Sequence, residues 1–219
     1  MEPFIEKYRY NYIKKRLFEV NTAVTSCLDK NTVEASKAHN QERIYSLFPQ
    51  LEPDQKEILR LEKITNSSDV EQYLKRLEPF VTGMTFPSDE TALKVFRKEK
   101  KIRIPDSYAK ELKRVYLGWI DGGTNKLFII YNLNGKPAGM ACRLPQTRNR
   151  STNICSLCNH IGKDDEVAFV SPVCKTAHLG PDAYKSIGFY VCLDSEHCND
   201  RITSVERLEE LLRQVNNIK

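Results

Sequence analysis

Hydrophobic positions recur at helical spacing through the first hundred residues and change to a spacing of two after Trp119. Ile13, Leu17, Val20, Val24 and Leu28 fall on one face of a helix running from Phe4 to about Leu28, because side chains three and four apart share a face. Asn31 with Glu34 forms a capping box, and Val33, Ala38, Ile44 and Leu47 predict a second helix to about Phe48. Pro49 and Pro53 bracket a turn before a short helix carrying Ile58, Leu59 and Leu61. Ser68 with Glu71 repeats the capping pattern ahead of a helix marked by Val70, Leu74, Leu77 and Val81. Another short helix is expected from Asp89 to Glu99, with Leu93 and Phe96 inward. Amphipathic stripes must be covered, so several in succession predict a helical, bundle-like first domain.

The second half reads differently. Asp121-Gly122-Gly123 is a turn, Lys126 to Tyr131 a strand, and Asn134-Gly135 a hairpin turn from which Ala138 to Leu144 returns. Further strands are expected near Glu166–Ser171 and Gly188–Cys192. A last helix is expected from about Ser204 to Asn216, with Val205, Leu208, Leu211, Leu212 and Val215 on one face. The fold class is therefore α+β: a helical domain over residues 1–110 and an α/β domain over 111–219.

Composition narrows the options. The chain is 40% hydrophobic and 29% charged, a balance that excludes wholesale disorder. No apolar run approaches the length of a membrane span. The opening residues mix charges of both signs without an apolar signal core, so a cytoplasmic location is expected. A formal net charge of +5 permits attraction to acidic partners or RNA without requiring either. Residues 94–114 hold nine Lys/Arg against three Asp/Glu. Arg97, Lys98, Lys100 and Lys101 at their centre are candidates for a phosphate-contacting surface, or for the solvated face of a connector. Tyr8 and Tyr12, four apart, read as packing residues with hydroxyls at the rim.

Five of the seven cysteines follow residue 150. In a reducing compartment, close thiol pairs are better explained by metal than by disulfides. Cys155-Ser156-Leu157-Cys158 is a tight knuckle able to present two thiolates to one ion. Cys192 and Cys198 lie between a predicted strand and a predicted helix. A knuckle, a hairpin and ligands leading into a helix is the layout of a treble-clef finger. His197, His160 and Cys174 remain rival ligands on spacing. The softness of zinc and the even set favour Cys155, Cys158, Cys192 and Cys198. Cys27 and Cys142 fall on apolar faces and are expected in the core.

Four thiolates close a zinc shell, whereas a catalytic centre keeps an open position. The deaminase and His-Glu-x-x-His patterns, a Gly-rich phosphate loop and a nucleophile elbow are all missing from the sequence. Metal-dependent hydrolysis is thus a minor alternative to binding. Residues 151–219 carry seven Lys/Arg and ten Asp/Glu, a balance that favours a protein partner over nucleic acid. Tyr184, Phe189 and Tyr190 are candidate anchors beside the site, with Phe189 and Tyr190 facing opposite ways on a strand.

Taken in order, YRYNYI at 8–13, KVFRKEKKIRIP at 94–105, Gly118-Trp119, CSLC at 155–158 and YVCLDSEHCND at 190–200 resemble the FusB/FusC-type family, which binds elongation factor G and protects translation from fusidic acid. The resemblance implies one structural zinc held by Cys155, Cys158, Cys192 and Cys198, and no catalysis. It implies elongation factor G as partner, with the ribosome engaged through the bound factor and ribosomal RNA as a further contact. No membrane and no small-molecule substrate are implied. Its contact positions fall on Tyr190, on Ile187 where members carry a lysine, and on Leu211 where members can carry an aromatic. Lys185 is then the candidate to supply the positive charge. The alternative reading is an RNA- or ribosome-binding zinc protein that acts without the factor.

Overall fold

The computed structural model describes residues 1–61, 63–97, 99, 102, 105, 112–146, 151–174 and 186–218. Chain contacts divide into two compact units, Met1–Thr82 and Gly83–Lys219. None of the helices in the described residues is long and apolar enough to cross a membrane.

The first unit opens with β1 (Ile5–Glu6), followed by α1 (Lys7–Ser26), α2 (Lys30–Tyr45), α3 (Pro53–Ile58) and α4 (Ser67–Leu77), and closes with β2 (Val81–Thr82). β1 and β2 pair in parallel, joining the two ends of the unit. Ile13, Leu17 and Val20 of α1 pack with Ile44, Leu59, Leu61, Tyr73 and Leu77 in one core. The caps are not those expected. Asp29 caps α2 by accepting from the Asn31 and Thr32 amides at 3.1 Å each, while Glu34 pairs instead with Lys37. Asn66 and Asp69 form the reciprocal box on α4 in place of Ser68 and Glu71. A cap must have extended backbone one step before the first turn, and Asp29 and Asn66 have it. α1 stops at Ser26, so Leu28 is fully exposed and Cys27 is half-buried, not in the core.

The second unit begins with α5 (Asp89–Val95), then β3 (Leu117–Asp121), β4 (Lys126–Leu133) and β5 (Lys136–Arg143). A small hairpin, β6 (Thr152–Ile154) and β7 (Ile161–Lys163), comes next, followed by β8 (Val167–Pro172), β9 (Phe189–Cys192), α6 (Ser195–Arg201) and α7 (Glu206–Asn216). The main sheet has the order β3-β4-β5-β8-β9 and is antiparallel throughout. Asn134 and Gly135 both take positive φ, at 53° and 76°, as the twist of a two-residue hairpin requires. Phe96, Trp119 and Phe128 pack as an aromatic cluster with Leu117, Ile130 and Ala141. α5 turns Ala92 and Phe96 into this core and leaves Leu93 half-exposed, against the inward placement expected for it. The sequence-based boundary at 110/111 falls inside this unit, because α5 packs on β5.

β3 is an edge strand, and α6 covers it. The buried Asn199 side chain accepts from the Val115 and Tyr116 amides at 2.7 and 3.0 Å. It donates to the Tyr116 and Ser195 carbonyls at 3.0 and 2.8 Å. Ser195 Oγ donates to the Gly118 carbonyl at 2.5 Å, and Arg114 Nε meets Glu196 at 2.7 Å. An edge that would otherwise offer bare backbone groups is thereby closed. Asn199→Ala leaves three of these backbone groups buried and unpaired, at ~1–3 kcal/mol each. The expected loss is about 3 kcal/mol or more in urea unfolding of the full chain; a loss below about 1 kcal/mol contradicts this role.

Candidate metal centre

Four sulfurs converge where the small hairpin meets β9 and α6. Thr152–Ile154 and Ile161–Lys163 pair so that Ile154 stands opposite Ile161, and the knuckle forms the turn between them. The Cys155 amide donates to the His160 carbonyl at 2.8 Å, and the Asn159 amide donates back to the Cys155 carbonyl at 2.9 Å. Asn159 takes a φ of 60°, a left-handed conformation that asparagine tolerates better than most residues. The Ser156 amide donates to the Tyr190 carbonyl at 2.8 Å, which fastens the knuckle to β9. Asp194 then caps α6, accepting from the Glu196 and His197 amides, and the helix carries Cys198 inward. Cys198 lies within the helix and not ahead of it, a difference from the expected layout.

The ligand atoms of Cys155, Cys158, Cys192 and Cys198 all lie within 4.8 Å of one another. Cys155 and Cys198 sulfurs are 3.9 Å apart, and Cys158 and Cys192 sulfurs 3.6 Å. A tetrahedral zinc with bonds of about 2.3 Å sets its sulfurs about 3.8 Å apart, so the donor set fits that ion. The rivals lie elsewhere. His197 is exposed, with Nδ1 3.1 Å from the Asp194 carboxylate. His160 Nε2 faces Glu166 at 3.6 Å, and Cys174 Sγ lies against the Pro172 carbonyl.

The protonation of the cluster favours a cation. Hydrogen bonds from Cys158, Cys192 and Cys198 hold the Cys155 thiol well below its ordinary range. The Cys155 sulfur in turn pushes Cys192 and Cys198 strongly up. Four thiols this close together therefore cannot all ionise by themselves, whereas a divalent ion stabilises every thiolate at once. The Cys158 amide also bonds to the Cys155 sulfur. These residues can hold a metal in a closed, structural shell.

Two exposed apolar pairs border the site. Ile154 and Ile161 are 56% and 61% exposed, and Phe169 and Tyr190 are 46% and 38% exposed. Phe169 and Tyr190 stand opposite each other across β8 and β9, with rings edge to face at 5.3 Å. A Cβ on Gly188 would lie 2.1 Å from the Phe169 ring, so glycine there gives that ring its place. Of the positions singled out in sequence, Tyr190 is exposed, Phe189 is buried and Ile187 is half-buried. Leu211 is fully buried, so it packs inside the unit and offers no surface. Arg97 is exposed, while Lys98, Lys100, Lys101, Tyr184 and Lys185 lie outside the described residues. Phe169, Ile154 and Ile161 escaped the sequence reading. Their signal was an apolar residue at the solvent-facing step of a short strand, which alternation alone does not separate from a core position.

Comparison with known proteins adds three findings. Residues 4–85 match the family described as elongation factor G-binding protein, N-terminal, and residues 92–217 match FBP C-terminal treble-clef zinc-finger. The fold is similar to the structure of the fusidic acid resistance protein FusC, with a TM-score of 0.76 and 23% identity. The match covers 98% of this chain and 100% of that one. A search of curated proteins finds no match.

Proposed function

We propose that this chain, which belongs to the FusB/FusC-type family of elongation factor G-binding proteins, docks on that factor through the apolar face beside its zinc finger and thereby protects translation from fusidic acid. The observation that carries the reading is the pair of exposed cross-strand contacts, Ile154 with Ile161 and Phe169 with Tyr190, held against the four-thiol cluster. Exposed aromatic and aliphatic anchors on a rigid support are what dominate protein interfaces. One structural zinc, bound by Cys155, Cys158, Cys192 and Cys198, supplies the rigidity. When bound, it cross-links the knuckle, β9 and α6. The chain's own residues do the rest: Asn159 turns the knuckle, the Ser156 amide fastens it to Tyr190, and Gly188 seats Phe169.

The action is binding without covalent chemistry. To free a factor trapped on the ribosome, the chain must bind its released or loosened conformation better than the trapped one. Equal affinity for both shifts nothing. The basic run around Arg97, Lys98, Lys100 and Lys101 is proposed to orient the complex or to touch ribosomal RNA, and Lys185 and Ile187 to contribute to binding of the factor. Calorimetric titration of the full chain with purified elongation factor G tests the reading. A saturable one-to-one complex that forms without ribosomes is expected. No complex with the factor, together with steeply salt-dependent binding to factor-free ribosomes, contradicts it and favours the RNA-binding alternative.

A further inference from the structure

We propose that the outward edge of α1 is a contact for single-stranded or looped RNA, with Phe18 stacked on a base between phosphates held by Lys14 and Lys15. Met1–Thr82 carries thirteen Lys/Arg and thirteen Asp/Glu, yet α1 alone carries five against one. The positive charge of a balanced unit is therefore gathered on one helix. Two of the five cations are already paired, Arg9 with Glu6 at 3.1 Å and Arg16 with Glu19 at 2.7 Å. Lys7 lies over the Tyr10 ring at 5.6 Å. Lys14 and Lys15 are exposed, and neither has a partner among the described residues.

Phe18 follows these lysines by four and three residues, so its ring stands between them one turn on. At 71% exposure it is the most exposed ring among the described residues, ahead of Phe169 and Tyr190. The row continues toward the start of the helix. Tyr8, Tyr12, Lys15 and Phe18 follow one another at steps of four, three and three, and span roughly 15 Å of helix, the reach of a few nucleotides. Arg9 and Arg16 lie over the Tyr8 and Tyr12 rings at 5.6 and 5.1 Å, which keeps positive charge along this edge. RNA fits the face better than an acidic protein surface does. A carboxylate partner would use the lysines and leave the ring in water. A single strand offers phosphates at intervals and open base faces between them, so one ligand satisfies both lysines and ring. Paired RNA hides its base faces, which restricts the contact to single strands and loops. The contact lies on the first unit and the zinc finger on the second, so the two are tested apart.

The test is fluorescence anisotropy of a short fluorescein-labelled oligouridylate with the full chain, between about 50 and 200 mM salt. Saturable binding that weakens as salt rises is expected. Phe18→Ala should weaken it roughly 5- to 150-fold, the range for one stacked base. Lys14→Gln combined with Lys15→Gln should flatten the slope of log affinity against log salt by about 1.4, the share of two phosphate contacts on a single strand. All three side chains are exposed, so both variants keep the fold, and their affinity for elongation factor G without RNA should match that of the unaltered chain. No binding by the unaltered chain up to about 100 μM, or an affinity within about twofold of it in Phe18→Ala, overturns the proposal. An unchanged salt slope in the lysine variant overturns it too. Weaker binding of the factor by these variants, with RNA binding intact, makes the face a protein contact and likewise overturns it.

Discussion

Replacing Cys198 by serine is expected to abolish stoichiometric zinc binding and to unfold the segment from β6 to α6 while much of the sheet persists. Zinc binding at structural sites is coupled to folding and is worth ~10–16 kcal/mol in isolated fingers. Little else is available to hold the β6–β7 hairpin at the start of this segment. β6 and β7 are three residues each, too short to be stable as a free hairpin, and Ile154 and Ile161 are turned to solvent. β3, β4 and β5 have their own aromatic core around Phe96, Trp119 and Phe128. Limited proteolysis with mass analysis should therefore find new cuts between residues 152 and 201 in Cys198→Ser, and protection over 117–143. Cys174→Ser and His197→Ala serve as controls and should keep their zinc, because neither side chain points into the cluster. Full zinc content in Cys198→Ser, or loss of zinc in either control, contradicts the assigned ligand set.

The second large effect is expected at Tyr190. Its ring stands exposed on β9, two residues before Cys192, edge to face with Phe169 at 5.3 Å. Its carbonyl receives the knuckle amide, so truncating the side chain leaves the backbone link to the metal site intact. Tyr190→Ala should lower affinity for elongation factor G by about 2–3 kcal/mol, roughly 30- to 150-fold. Zinc content and thermal unfolding should be nearly unchanged, since the side chain is not part of the core. Unchanged affinity in a folded, zinc-loaded variant removes Tyr190 from the docking face. Leu211→Ala is the instructive contrast. That side chain is fully buried, so its truncation acts through stability and not through contact.

The sequence disclosed most of what periodicity and spacing can carry. The helices of the first unit, the β4–β5 hairpin turning at Asn134-Gly135, the strands near 167–172 and 189–192, and the cysteine knuckle all declare themselves locally. What stayed hidden depends on tertiary partners. The sequence reading places no strand at β3, where Gly118 carries no side chain to alternate and instead admits the Tyr116 ring. α6 is seven residues long and polar in pattern, and it stays helical because Asp194 caps it and Asn199 and Cys198 tether it inward. Short helices of this kind are not stable by propensity. The caps at Asp29 and Asn66 were displaced from the expected Asn31 and Ser68 by two residues each, since several polar residues in each loop could serve and only the backbone chooses. Leu211 matched a contact position by alignment of the resemblance but belongs to the hydrophobic face of α7, where Leu208, Leu212 and Val215 accompany it into the core.

One titration bears on the whole account most directly. Elongation factor G is titrated into two samples of the same preparation, one zinc-loaded and one stripped by a strong chelator and then freed of it, with metal content measured on each. One zinc per chain and a tight complex are expected in the first, and a collapse of affinity in the second that is restored on adding zinc back. Equal affinity in both samples, or a purified chain that carries no zinc yet still binds the factor, would show that the four sulfurs do not build the docking face.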